Sequence, residues 1–118
     1  MEMNNYQKQA MKTAIFPPLY LKDGEKEVEV AWAYPAIKLA GEVGELEEKL
    51  GKIIRDKKGV ICEEDLVLIK KELGDQLWYI AALCDTLGLD MNDVAQTNLD
   101  KLAKRYVEGK IGGSGDSR

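Results

Sequence analysis

Two pairs of acids are the residues in this sequence best placed to do chemistry. Glu42 and Glu45 lie three residues apart, as do Glu72 and Asp75, and side chains at that spacing share one helical face. Spacing alone decides little, because 21 acids among 118 residues supply about four such pairs by chance. Position decides more. Both pairs sit beside the apolar stripes of two segments expected to be antiparallel neighbours, so four carboxylates can converge on one cleft. Such a cluster repels itself in a partly dry cleft unless cations neutralise it, and the chain has no His. All-oxygen ligation suits Mg2+, with Mn2+ able to substitute. The expected centre is a magnesium site of more than one ion, ligated by Glu42, Glu45, Glu72 and Asp75. Gly41, Gly44 and Gly74 flank these acids. Each mid-helix Gly costs about 1 kcal/mol relative to Ala, which points to close backbone approach or room for a ligand.

A row of donors follows downstream, where Asn98, Lys101 and Arg105 step by three and four. Taken alone it reads equally well as a solvated basic edge supporting Asp100 and Glu108. Beside a cation-loaded acidic cluster, two cations and an amide are what the remaining oxygens of a polyphosphate require. Lys49 and Lys52, one turn past the first acid pair, either assist or are ordinary surface lysines. The lack of His removes Ser-His and Cys-His nucleophile systems, leaving carboxylates, Lys, Tyr or water for acid–base work. Cys62 and Cys84 are too few and too far apart for a zinc motif and read as buried thiols.

The elements that must position these groups are helical. A short helix from Asn4 to Ile15 stops at Pro17 and Pro18, which lack backbone donors. The alternation between Leu19 and Val30 allows a loop or a small hairpin. A second helix begins near Tyr34, with Pro35 in its first turn, and runs to Asp56 on the stripe Leu39, Val43, Leu46, Leu50 and Ile53. The third follows Cys62, with Glu63, Glu64 and Asp65 at the positive end of its dipole, and ends at Gly88. Its stripe is Leu66, Ile69, Leu73, Leu77, Ile80, Leu83 or Cys84, and Leu87. The fourth is capped by Asp90, turns Ala95, Leu99, Leu102 and Tyr106 inward, and stops at Gly109. Long stripes with short connections predict an all-α, antiparallel four-helix bundle whose first helix is short. Trp32, Tyr34, Trp78 and Tyr79 exceed what so thin a bundle can bury, which predicts a homo-oligomer, dimer or tetramer.

At 118 residues the chain is expected to form one domain over 1–109, with a flexible tail over 110–118. Seventeen basic against 21 acidic residues, a net charge of -4, argue against a partner that is a nucleic acid polymer. No apolar run approaches the roughly 20 residues of a spanning helix, and the start MEMNNYQKQA lacks a leader's basic-then-apolar order. The expectation is a cytoplasmic protein with no membrane partner.

The blocks GEVGELEEKLGK, KKELGDQLWYIAALCDTLGLD and NLDKLAKRY resemble, in order, the MazG-type nucleotide pyrophosphohydrolases of the all-α NTP pyrophosphatase superfamily. The likeness runs from about Ala36 to Tyr106, and NNYQKQAMKTA resembles the first helix of short phage and bacterial members through Tyr6, Gln7 and Thr13. The family's E-x-x-E and E-x-x-D pairs fall on Glu42, Glu45, Glu72 and Asp75, and its N-x-x-K-x-x-x-R run on Asn98, Lys101 and Arg105. The resemblance implies Mg2+-dependent cleavage of a nucleoside or deoxynucleoside triphosphate to the monophosphate and pyrophosphate. Glu42 or Glu45 would then position or deprotonate the attacking water, with Asn98, Lys101, Arg105 and Lys52 on the phosphates. Two alternatives stand beside it, a phosphoribosyl-ATP pyrophosphatase-like enzyme and a non-catalytic helical assembly or binding protein. No residue is assigned to base recognition.

Overall fold

The first helix tightens before it reaches the Pro17–Pro18 pair. In the computed structural model, which describes residues 1–109, α1 spans Met3–Ala10 and continues as a 3-10 turn over Met11–Thr13. The tail expected at 110–118 lies outside the described residues. Of the two forms open to the next segment, the hairpin is the one found. β1 (Tyr20–Asp23) pairs antiparallel with β2 (Lys26–Glu29), setting Leu21 opposite Val28. Gly24 turns the chain at φ 67°, a left-handed value that an L side chain resists. Both strands are exposed along their length.

α2 (Ala33–Lys57) and α3 (Glu63–Thr86) are the long helices. Pro35 sits fully buried in the first turn of α2. At its other end Lys58 and Gly59 take left-handed φ values, and the Gly59 N–H donates back to the Ile53 carbonyl. α3 opens on a capping box in which Asp65 Oδ2 accepts from the Cys62 N–H at 3.1 Å. Lys57 Nζ reaches the same oxygen at 2.8 Å. That ammonium first, then the Cys62 N–H and thiol, hold the Asp65 carboxyl down at about 2. The pairs Lys57–Asp65 at 2.8 Å and Lys49–Glu72 at 3.7 Å give the register. Moving back along α2 moves forward along α3, so the helices are antiparallel.

Gly88, at φ 71°, follows the end of α3, and α4 (Met91–Val107) starts where Asp90 Oδ1 accepts from the Asp93 N–H at 2.7 Å. The core lies where α1 meets α3. Ala81, Cys84 and Met91 are buried there, with Met3, Tyr6, Ala10, Met11 and Leu77 packed around them. Gln7 clasps α1 to the α3–α4 turn: its Nε2 donates to the Leu89 carbonyl at 3.0 Å and its Oε1 accepts from the Met91 N–H at 2.8 Å. Asn4 and Asn92 exchange a reciprocal pair of backbone-to-side-chain bonds beside it. Gln7→Leu strips partners from both Leu89 and Met91, so it should destabilise the chain by about 2–4 kcal/mol. Thermal denaturation checks this, and an unchanged melting temperature would mean that the clasp contributes nothing.

The packing corrects two expectations. α4 packs principally against α1, and Leu99 and Tyr106, expected inward, are 59% and 77% exposed while Arg105 is 5% exposed. Hydrogen bonds at the N-terminal end of α4, rather than its apolar stripe, set how it docks. On α3 the expected single stripe divides into two faces. Ala81 and Cys84 are buried and Ile69 and Leu77 half-buried, whereas Leu66, Leu73, Ile80 and Leu87 are 55%, 51%, 37% and 50% exposed. The outward set recurs every seven residues. The class is all-α with one small hairpin, and no helix among the described residues is long and apolar enough to cross a membrane.

Candidate active site

The antiparallel register of α2 and α3 brings three of the four expected acids together. Glu42, Glu45 and Glu72 each offer a carboxylate oxygen within 4.8 Å of the others. Asp75 stands outside that group of three but beside Glu42, in the lining of a cleft of about 380 Å3 shared with Thr13, Trp78 and Tyr79. Glu42 Oε2 and Glu72 Oε2 are buried without a hydrogen-bond partner. Burial first, and then the charges of Glu45, Asp75 and Glu72, push the Glu42 carboxyl above the ordinary carboxylate range. Desolvated carboxylate oxygens that lack donors fit a hard divalent cation, whose ligands are oxygens.

The lysines divide between two places. Lys49 Nζ approaches Glu72 Oε1 at 3.7 Å, whereas Lys52 pairs with Glu48 on its own helix at 3.2 Å. Both also line a separate cleft towards the α2–α3 turn with Lys57 and Asp65. Asn98 and Lys101 line another cleft with Leu89, Asp93, Val94 and Thr97, and Arg105 is buried. At Gly41, Gly44 and Gly74 an added Cβ would meet nothing within 4 Å. These glycines leave open room and accommodate no close backbone approach.

Sequence reasoning missed the aromatic wall. Phe16 stacks on Tyr34 with centroids 5.5 Å apart, and Trp78 meets Phe16 edge-on at 6.4 Å and Tyr79 at 5.0 Å. Tyr34, Trp78 and Tyr79 are half-buried, joined with Phe16 in a chain of ring contacts within one copy. Trp32 remains 46% exposed. The signal was present in the spacing, since Trp78 and Tyr79 lie three and four residues after Asp75 and share its helical face. Burial raises the Tyr79 hydroxyl above its usual range; Tyr34, Glu42 and Asp75 add to this against the opposing charge of Lys38. Tyr6 is raised by burial and then by Asp75.

Comparison with known proteins bears on this cluster. The MazG nucleotide pyrophosphohydrolase domain matches residues 36–108, a span that includes all four acids and the row from Asn98 to Arg105. The chain is also 41% identical over 118 residues to the Gene 37 protein of Mycobacterium phage L5, with 100% of each chain covered. No solved structure matches. A domain match over more than half of the chain, centred on two helices that converge their acids, means that the protein belongs to the MazG nucleotide pyrophosphohydrolase family.

Proposed function

We propose that this nucleotide pyrophosphohydrolase is Mg2+-dependent and cleaves a nucleoside or deoxynucleoside triphosphate between its α and β phosphorus atoms, releasing the monophosphate and pyrophosphate. The observation that carries the reading is the group Glu42, Glu45 and Glu72 within 4.8 Å, with two of its oxygens buried and unpartnered. Glu42, Glu45, Glu72 and Asp75 would hold Mg2+ or Mn2+, more than one ion per site. When bound, such ions neutralise phosphate charge and favour ionisation of water. Glu45 is exposed and can accept a proton from the attacking water, while Glu42 orients that water. Lys49, 3.7 Å from Glu72, would be a further cation available to a phosphate oxygen beside the acids.

In this reading Asn98, Lys101 and Lys52 hold the phosphates, while Arg105, 5% exposed within its own chain, supports them from behind rather than reaching a neighbouring copy. Because none of the three lines the cleft at Glu42 and Asp75, a neighbouring copy is the source of the donors that complete the site. The heptad-spaced apolar face of α3 supports a homo-oligomer, since such spacing marks a helix-packing seam. So does a radius of gyration of 18.0 Å, against about 13 Å for a compact chain of roughly 100 residues. The working unit is one domain per copy over 1–109, acting on a cytoplasmic nucleotide pool.

The test is pyrophosphate release with Mg2+ from each common ribo- and deoxyribonucleoside triphosphate separately, with phosphoribosyl-ATP alongside. Release from one or more triphosphates, lost with chelator and restored by Mg2+ or Mn2+, is the expected result. Orthophosphate as the product, turnover of phosphoribosyl-ATP alone, or no turnover at all would overturn the reading.

A further inference from the structure

Among the described residues three buried side-chain atoms lack a hydrogen-bond partner: Glu42 Oε2, Glu72 Oε2 and Gln76 Nε2. Two are acceptors that belong to the acidic group. The third is a donor, and nothing in the hydrolysis described above uses it. An amide N–H left buried and unpartnered works against folding, whereas Leu or Met in its place would fill the same space without that loss. A buried donor close to orphaned carboxylate oxygens points to a bond between them.

The register places Gln76 at the acids. Asp65, Ile69, Glu72, Gln76, Tyr79 and Leu83 step by four and three along α3 and are all half-buried, which makes them one helical face. Contacts along that face identify α2 as what covers it: Asp65 meets Lys57, Glu72 meets Lys49, and Ile69 shares a cleft with Ile53. Because the helices are antiparallel, one turn beyond the Lys49–Glu72 pair brings Gln76 opposite Glu45 and Leu46. Gln76 also follows Glu72 by four residues, the spacing at which side chains of one helix reach each other. At 3.7 Å the Lys49 contact of Glu72 is too long for a hydrogen bond. Little therefore holds the Glu72 carboxylate away from the amide.

We propose that Gln76 is a positioning residue for Glu72: its Nε2 donates to Glu72 Oε2 and fixes the carboxylate so that Oε1 is presented to a divalent cation shared with Glu42 and Glu45. Donors behind a ligand, one shell out from the ion, set its orientation and tune its affinity. An amide nitrogen is no ligand for a hard cation, so Gln76 acts through Glu72 alone. One bond then satisfies both orphaned atoms of α3. The proposal rests on the reading of this acidic group as a cation site.

Mn2+ binding to the full chain, followed through the paramagnetic resonance of the free ion, tests this without any turnover. Gln76→Leu should lower Mn2+ affinity by roughly ten- to a hundredfold and raise the Mg2+ concentration for half-maximal pyrophosphate release by a similar factor. Its melting temperature in chelator should equal that of the wild type or exceed it, because the variant removes a buried donor that had no partner. Glu72→Asp draws the carboxylate back, out of reach of the amide. In that background Gln76→Leu should cost no further affinity, a non-additivity that a general packing defect would not produce. Equal Mn2+ affinity in wild type and Gln76→Leu, or an additive loss in the Glu72→Asp background, would overturn the proposal. A wild type that binds no Mn2+ would overturn it together with the cation reading. A wild type that binds Mn2+ more tightly than Gln76→Leu yet releases no pyrophosphate would instead sink the hydrolysis reading and leave the role of Gln76 standing.

Discussion

Glu42→Gln and Glu72→Gln chains should each lose roughly a thousandfold in turnover, because cation stabilisation of phosphoryl charge is worth several kcal/mol and each 1.4 kcal/mol is tenfold in rate. The same changes should make the metal-free chain more stable. Glu42 is held above the ordinary carboxylate range by burial and by Glu45, Asp75 and Glu72, so its ionised form opposes folding. For a raised carboxyl the penalty is absent below the unfolded value, grows as pH rises towards the folded value, and is complete above it. Once pH exceeds the raised folded value the metal-free wild type carries the penalty, and Glu42→Gln removes it. The amide can also donate to Glu45 or Glu72, where carboxylate met carboxylate. The melting temperature without metal should rise by about 3–6 °C for each ~1 kcal/mol relieved. Mg2+ should raise the wild-type melting temperature by mass action and move the variants little. Calorimetry with chelator and with Mg2+ reads both effects, and a variant that melts lower without metal while keeping its turnover would remove these acids from the site.

Much of this arrangement was legible in the residues themselves. Helix ends were carried by local chemistry: Asp90 as a cap, Pro35 in a first turn, and Gly59, Gly88 and Gly109 at left-handed positions. The acids followed, since an antiparallel pairing of two helices is nearly forced by a short connection, and that pairing brings Glu42 and Glu45 to Glu72. Side-chain burial was less legible because periodicity finds an apolar face without naming what covers it. Leu66, Leu73, Ile80 and Leu87 belong to a correctly placed helix yet face outwards within one chain. Hydropathy marks the face of α1 that docks, with Met3, Tyr6, Ala10 and Met11 on the core, but not the polar contacts that fix where it sits. Gln7 and Asn4 recognise the backbone of the α3–α4 turn, and that contact exposes Tyr106 and Leu99 on α4. The rest of the aromatic wall was missed because Phe16 meets Tyr34 across the hairpin segment and Trp78 from far along the chain, contacts that helical spacing does not reveal.

Leu73→Ala should weaken self-association by roughly 30- to 150-fold and take activity down with it. In one chain Leu73 is already about half covered, with 51% of its surface exposed, so the burial still available is worth about 1–1.5 kcal/mol per copy. A symmetric contact counts each residue twice, giving about 2–3 kcal/mol per dimer, and each 1.4 kcal/mol is tenfold in Kd. Ile80 lies one heptad further along the same face, so combining Ile80→Ala with Leu73→Ala should produce a larger loss. Leu73→Glu should be more severe, because it sets two carboxylates against each other in an apolar seam. Light scattering across a dilution series would show the variants dissociating at concentrations where the wild type stays assembled. If the donors that hold the phosphates come from a neighbouring copy, pyrophosphate release per chain must fall over that same concentration range. KM should rise with it, because the acids on α2 and α3 stay in place while Asn98 and Lys101 leave. A Leu73→Glu chain that is monomeric, folded by circular dichroism and fully active would show that one copy holds the whole site. The donors at Asn98 and Lys101 would then have to reach the acids within the chain, or play no part in the reaction.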